Sequence, residues 1–144
     1  MAINRVIRAA LKALSYPELD IKKSYKIKRQ LINATHRPYL IPPYKTWDHK
    51  IYFEGHNIPV RIFFPTLEQC FNAPILLFFH GGGWVTGNID SYDKVCGNLA
   101  KATCHIVVSV DYRLAPEYPF PAALNDCYEV AKEIFSHVTV KYQP

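Results

Sequence analysis

The stretch Pro74-Ile75-Leu76-Leu77-Phe78-Phe79-His80-Gly81-Gly82-Gly83-Trp84 decides the fold. An unbroken apolar run of this length, without alternation, is the pattern of a strand covered on both faces. It ends at three consecutive glycines. Residues from about 91 to 103 then carry Tyr92, Val95, Leu99 and Ala102 at helical spacing, so the strand runs through a tight turn into a helix. Glycine has no Cβ, which lets such a turn face bare amide N–H groups outward. Phosphate-cradling patterns do not fit. After Gly83 come Trp84-Val85-Thr86 and then Gly87, which is neither GxGxxG nor a P-loop.

Working outward, His105 to Val110 reads as a second buried strand. A helix follows over about 121–137, with Leu124, Cys127, Tyr128, Ala131 and Phe135 as its apolar positions. Strand, helix, strand, helix implies right-handed crossovers and a parallel sheet. Upstream, Trp47–Glu54 and Ile58–Phe64 are β-rich runs separated by Gly55-His56-Asn57, which predicts a hairpin. Further upstream, Ile3, Val6, Ile7, Ala10, Leu11 and Leu14 form a helical stripe that ends at Ser15-Tyr16-Pro17. Asp20 opens a second helix to about Asn33, with Ile21, Tyr25, Lys28 and Ile32 on one side. Arg37-Pro38 to Pro42-Pro43 reads as an extended linker. The organisation expected is therefore 1–46, basic helices and linker, and 47–144, an α/β core.

Of the 144 residues, 49% are apolar and 20% charged, enough for a real core and ordinary for a soluble chain. These proportions exclude a disordered tail, a collagen-like fibre and a disulfide-stapled mini-protein. No apolar run approaches the roughly 20 residues that span a bilayer, so no integral membrane segment is expected. The net charge of +5 is unevenly spread. Residues 1–50 hold eleven Lys/Arg against three Asp/Glu, whereas residues 51–144 hold six against nine. Without an aromatic-interleaved RNA-binding motif or zinc finger, the basic excess is read as a solvated helix face, and no nucleic-acid partner is implied. Cys70, Cys96, Cys104 and Cys127 show no CxxC spacing, so no metal knuckle is implied. With no clean secretory leader, reduced thiols and a cytoplasmic location are expected.

A second motif lies downstream: Asp111-Tyr112-Arg113-Leu114-Ala115-Pro116-Glu117, then Phe120-Pro121-Ala122-Ala123 and Asp126. Together with His80-Gly81-Gly82-Gly83-Trp84, it closely resembles the hormone-sensitive-lipase-like family of α/β-hydrolases. The resemblance is strong over about 74–131 and weaker through the hairpin. Residues 1–46 match only in kind, as helices forming part of a cap. It implies an α/β fold, the N-terminal portion of an α/β-hydrolase sheet, in which an antiparallel hairpin precedes parallel βαβ strands. The activity implied is hydrolysis of small-molecule carboxylic esters by a serine esterase, with no cofactor and no metal. Residue by residue, Gly82 and Gly83 would supply the N–H groups of an oxyanion hole, which act from fixed positions on charge developing in the transition state. Gly81 would allow the turn, His80 would hold the loop without acting as a base, and Trp84 would line the pocket edge. Asp111, Arg113, Glu117 and Asp126 would form a structural hydrogen-bond and ion-pair set.

The family's nucleophile sits on a GxSxG elbow after these motifs. None of Ser15, Ser24, Ser91, Ser109 and Ser136 has glycines two residues before and after it. The chain is thus expected to carry the oxyanion loop without the Ser, acid and His of the triad, and to be inactive alone. It is also expected to leave its last strand with an open apolar edge, requiring a complementing C-terminal half or a dimer, or else to be poorly soluble. The alternatives are a non-catalytic relative that binds small acids, a non-functional gene fragment, or a basic surface-binding protein.

Overall fold

The computed structural model describes residues 21–35, 44–65 and 72–139. The helix expected over 3–14 and the proline-rich linker lie outside the described residues. The elements in order are α1 (Ile21–Thr35), β1 (Lys45–Phe53), β2 (His56–Phe64), β3 (Ile75–Phe79), α2 (Ile89–Thr103), β4 (Ile106–Val110) and α3 (Ala122–Thr139). The strands form one mixed sheet in the order β1-β2-β4-β3. β1 pairs antiparallel with β2 and β2 antiparallel with β4, while β3 pairs parallel with β4. The sheet is therefore an antiparallel hairpin fused to a βαβ unit, as the alternation of elements predicts.

The period-2 geometry of strands divides the core into two layers. Ile58 and Val60 of β2 and Val108 and Val110 of β4 meet Ala123, Cys127 and Val130 of α3. Residues of opposite parity, Phe63 and Val107, meet Cys96 and Ala100 of α2 together with Tyr44. The two helices thus cover opposite faces of the sheet, which explains why β3 and β4 read as continuous apolar runs.

Several expectations need correction. The hairpin turn is the two residues Glu54-Gly55, both at positive φ (43° and 83°), a geometry that matches the twist of paired strands. His56 and Asn57, expected in the turn, begin β2 instead. The open apolar edge does not belong to the last strand: β4 lies between β2 and β3, so among the described residues the apolar edge strand is β3. Helix α2 does not use Val95 as a core residue; it is 50% exposed, and the buried positions are small ones such as Cys96, Gly97 and Ala100. Close approach is the cause, because a Cβ on Gly97 would come within 2.2 Å of the Tyr44 ring. In α3, Leu124, Tyr128 and Phe135 are 51%, 63% and 64% exposed, while Ala123, Asp126, Cys127 and Val130 face the sheet. Cys104 is disulfide-bonded, contrary to the expectation of reduced thiols, whereas Cys96 and Cys127 are free and buried.

Candidate active site

β3 carries the chain to His80, and the loop 80–88 then returns it to α2. Asn88 caps that helix: its side-chain oxygen accepts from the Ser91 amide at 2.8 Å and the Ser91 hydroxyl at 2.6 Å. Between them the turn closes on the Gly82 carbonyl, which accepts from the amides of Val85 (3.2 Å) and Thr86 (3.1 Å) and from the Thr86 hydroxyl (3.0 Å). Gly82 is at φ 129°, and a Cβ there would lie 2.0 Å from the Thr86 carbonyl oxygen, so only glycine fits. The amides of Gly82 and Gly83 donate to no acceptor among the described residues, and both glycines are exposed. Two uncommitted N–H donors therefore sit on a turn whose carbonyl is already engaged.

The turn rests on an aromatic stack. His80 is 4% exposed, with its ring stacked on Tyr112 at 4.2 Å and on Tyr92 at 5.8 Å. Its Nδ1 lies 3.0 Å from the Gly81 carbonyl oxygen, and the Tyr112 hydroxyl donates to the His80 carbonyl. Burial lowers the His80 pKa, which favours the neutral ring. A Cβ on Gly81 would come 2.9 Å from the Tyr92 hydroxyl. Trp84, 51% exposed and at φ 64°, leans toward Tyr112 with ring centroids 5.2 Å apart.

The four residues read as a structural set fall into three separate groups. Asp126, 1% exposed, receives the Arg113 side chain at 2.7 Å and the Arg113 amide at 2.9 Å, with His56 Nε2 at 3.0 Å. Burial pushes the Asp126 pKa up, but hydrogen bonds from Arg113 and His56 outweigh it and hold the carboxyl below its ordinary range. Asp111 accepts from the Ile89 amide at 3.3 Å where α2 begins, and burial raises its pKa. Glu117 pairs with Arg29 of α1, at 2.9 and 3.0 Å, rather than with Arg113.

Sequence reasoning missed Arg29, His56 and Arg61. Arg61 joins the hairpin to α2, contacting Asp48 at 2.6 Å, Asp90 at 2.8 Å and Asp93 at 3.0 Å. Nothing local marks it, because its partners come from separate elements. An open cleft of about 370 Å³ lies beside the loop, lined by Arg29, Asn88, Asp111, Tyr112, Arg113 and Glu117 among others. Among the described residues no cluster suits a metal ion, and no serine there hydrogen-bonds a histidine.

Comparison with known proteins agrees with this geometry. A family model described as the alpha/beta hydrolase fold matches residues 76–143. The chain is 36% identical over 137 residues to Esterase LipI of Mycobacterium tuberculosis, covering 94% of this chain and 42% of that protein. It is 40% identical over 92 residues to Carboxylesterase NlhH of the same species, covering 63% of this chain and 28% of that one. Among solved structures, a hyperthermophilic esterase from the archaeon Pyrobaculum calidifontis superposes with a TM-score of 0.65 at 31% identity, over 93% of this chain and 44% of that one. The chain spans less than half the length of these relatives. Two motifs at the ends of adjacent parallel strands, a glycine turn with free donors and these likenesses converge: the chain belongs to the hormone-sensitive-lipase-like family of α/β-hydrolases.

Proposed function

We propose that these residues are the oxyanion-loop portion of a serine carboxylesterase acting on small carboxylic esters, and that they do not turn over substrate by themselves. The observation that carries this reading is the pair of uncommitted, exposed amides at Gly82 and Gly83, on a turn braced by His80 and Tyr112. In the complete site a serine Oγ attacks the ester carbonyl, and the carbonyl oxygen takes up negative charge. The Gly82 and Gly83 N–H groups donate to that oxygen, and loss of one such donor costs about 3 kcal/mol of transition-state stabilisation. Collapse expels the alcohol and leaves an acyl-enzyme, which water then cleaves to the acid. His80 takes no part in the proton transfers, since a buried, neutral ring facing the loop backbone suits a brace. Trp84 lines the edge of the pocket.

The serine, the triad acid and histidine, and the remaining oxyanion donor are absent from the motifs of these 144 residues, so they must come from further sequence or a second chain. Two features support such a complement. Among the described residues the outer edge of β3 is apolar and pairs with no strand, and α3 leaves Leu124, Tyr128 and Phe135 exposed along one flank of its apolar stripe. An assay of the chain with short p-nitrophenyl esters is expected to give only background hydrolysis. Turnover abolished by a serine-directed phosphonate would overturn the claim that the nucleophile is missing.

The same two donors suit a carboxylate, which favours a small-acid binder as the second reading. The coding sequence after codon 144 separates the two: a GxSxG elbow supports the esterase, and a replaced serine supports the binder. As to location, no described helix is long and apolar enough to cross a membrane. The disulfide at Cys104 weighs against the reducing cytoplasm expected from the sequence, and a thiol count with and without reductant tests it.

A further inference from the structure

Arg29 stands apart from the other basic residues of α1. Lys26 and Lys28 are exposed, as a solvated helix face requires. The Arg29 guanidinium, 4.8 Å from the Tyr25 ring centroid where the Lys26 nitrogen is at 6.0 Å, instead reaches into both functional loops. Its Nε donates to the Val85 carbonyl at 2.7 Å and one terminal nitrogen donates to the Ala115 carbonyl at 2.9 Å. The two terminal nitrogens also grip the Glu117 carboxylate at 2.9 and 3.0 Å. Each acceptor bears on the glycine turn. Val85 is the residue whose amide closes that turn on the Gly82 carbonyl, and the Ala115 amide donates at 2.8 Å to the carbonyl of Trp84, the next residue after Gly83.

The need for such a device follows from the loop's exposure. Residues 81–84 all face solvent, so little apolar burial holds the outer side of the turn. A segment of that kind belongs to the least stable part of a fold and opens locally unless hydrogen bonds tie it down. His80 and Tyr112 hold it from beneath. Arg29 is the side chain that holds it laterally, and only a planar fork reaches two carbonyls and a carboxylate at once.

We infer that Arg29 is a positioning residue for the oxyanion loop: from helix α1 it clamps the Val85 and Ala115 carbonyls and thereby fixes the direction of the Gly82 and Gly83 amides. Seating of the N-terminal helix is then a condition for a formed oxyanion site. The inference rests on the esterase reading only for its catalytic meaning.

Amide hydrogen exchange on the 144-residue chain tests it without any turnover. The Val85, Thr86 and Ala115 amides report the turn and its link to the second loop. The Ile106 and Asp111 amides, bonded to the Pro74 and Pro59 carbonyls, report the sheet. Arg29→Ala and Arg29→Lys are each expected to speed exchange at the three loop amides at least tenfold while the two sheet amides hold within twofold. Glu117→Gln leaves both carbonyl contacts in place and is expected to speed the loop amides about threefold, which keeps the test open if the Arg29 variants fold poorly. Loop exchange that stays unchanged, exchange that rises equally in loop and sheet, or full protection retained by Arg29→Lys would each overturn the clamp. Any of these leaves the esterase reading standing. A chain joined to a GxSxG-bearing complement that lacks turnover overturns that reading instead, and leaves the clamp intact.

Discussion

The two edges of the sheet are built differently. β1 reads Lys45-Thr46-Trp47-Asp48-His49-Lys50 along its first six residues, all exposed, and Arg61 of β2 ties Asp48 down. Charges along an edge discourage another strand from pairing there. β3 reads Ile75-Leu76-Leu77-Phe78-Phe79 with no charge, and its end residues Ile75 and Phe79 are 41% and 42% exposed. One edge is finished against water and the other carries the composition of an interior strand. The contrast supports the proposed complement, which would cover β3 and the exposed flank of α3.

The largest effect is expected from removing the carboxylate that ties α3 to the hairpin. Asp126→Ala leaves the Arg113 guanidinium and His56 facing an unfilled, buried position, and should lower the unfolding free energy by about 3 kcal/mol, read from the urea midpoint. A loss below 1 kcal/mol would mean that the α3 side of the core is loosely held. Gly82→Ala forces a Cβ against the Thr86 carbonyl and strains the backbone at positive φ, costing about 2 kcal/mol. That cost should fall on the loop, with strand exchange unchanged. At the open edge, Phe79→Lys should weaken self-association at least tenfold in sedimentation velocity, whereas Trp47→Lys on the finished edge should leave it unchanged. The reverse result would break the contrast between the edges.

A smaller effect is expected from pH. The folded-state pKa of Asp126 lies below its unfolded value, so its contribution is present above about pH 4 and fades as pH falls through the lower folded value. His80 is also depressed, through burial. The unfolded chain therefore takes up a proton first, and stability falls as pH drops below about 6.5. Urea midpoints measured against pH should show both slopes, with the acid one absent in Asp126→Asn and the upper one absent in His80→Gln.

Much of this was legible in the sequence where the signal is local. The run into His80, the glycine turn, the helix that follows and the strand at 106–110 each leave a mark within a few residues. What stayed hidden is long-range or symmetric. Arg29 meets Val85 across 56 positions and Glu117 across 88, separations that produce no periodicity. Strand order was misread because pairing partners are not written in either strand, so the last strand was expected at the edge while the structure places β4 in the middle. In α3 the apolar stripe is wide, and periodicity alone does not say which part of it meets the sheet. Of the positions read as its apolar stripe, Cys127 is buried against the sheet together with Ala123 and Val130, whereas Leu124, Tyr128 and Phe135 are exposed. The location of the Gly82 and Gly83 amides was readable from the glycines, but the brace that holds them, in Tyr112 and Arg29, was not.

The turn at Glu54-Gly55 reaches further than its surface position suggests. It sets the pairing of Phe53 with His56, and through it the alternation that sends Ile58 and Val60 inward and brings His56 to Asp126. Exposed loop tips ordinarily accept extra residues. This one forbids a shift of register by one, because such a slip would turn Ile58 and Val60 to the opposite layer and withdraw His56 from the carboxylate that organises the second loop. Tolerance to insertion at this hairpin is therefore governed from Asp126, 70 positions from His56 along the chain.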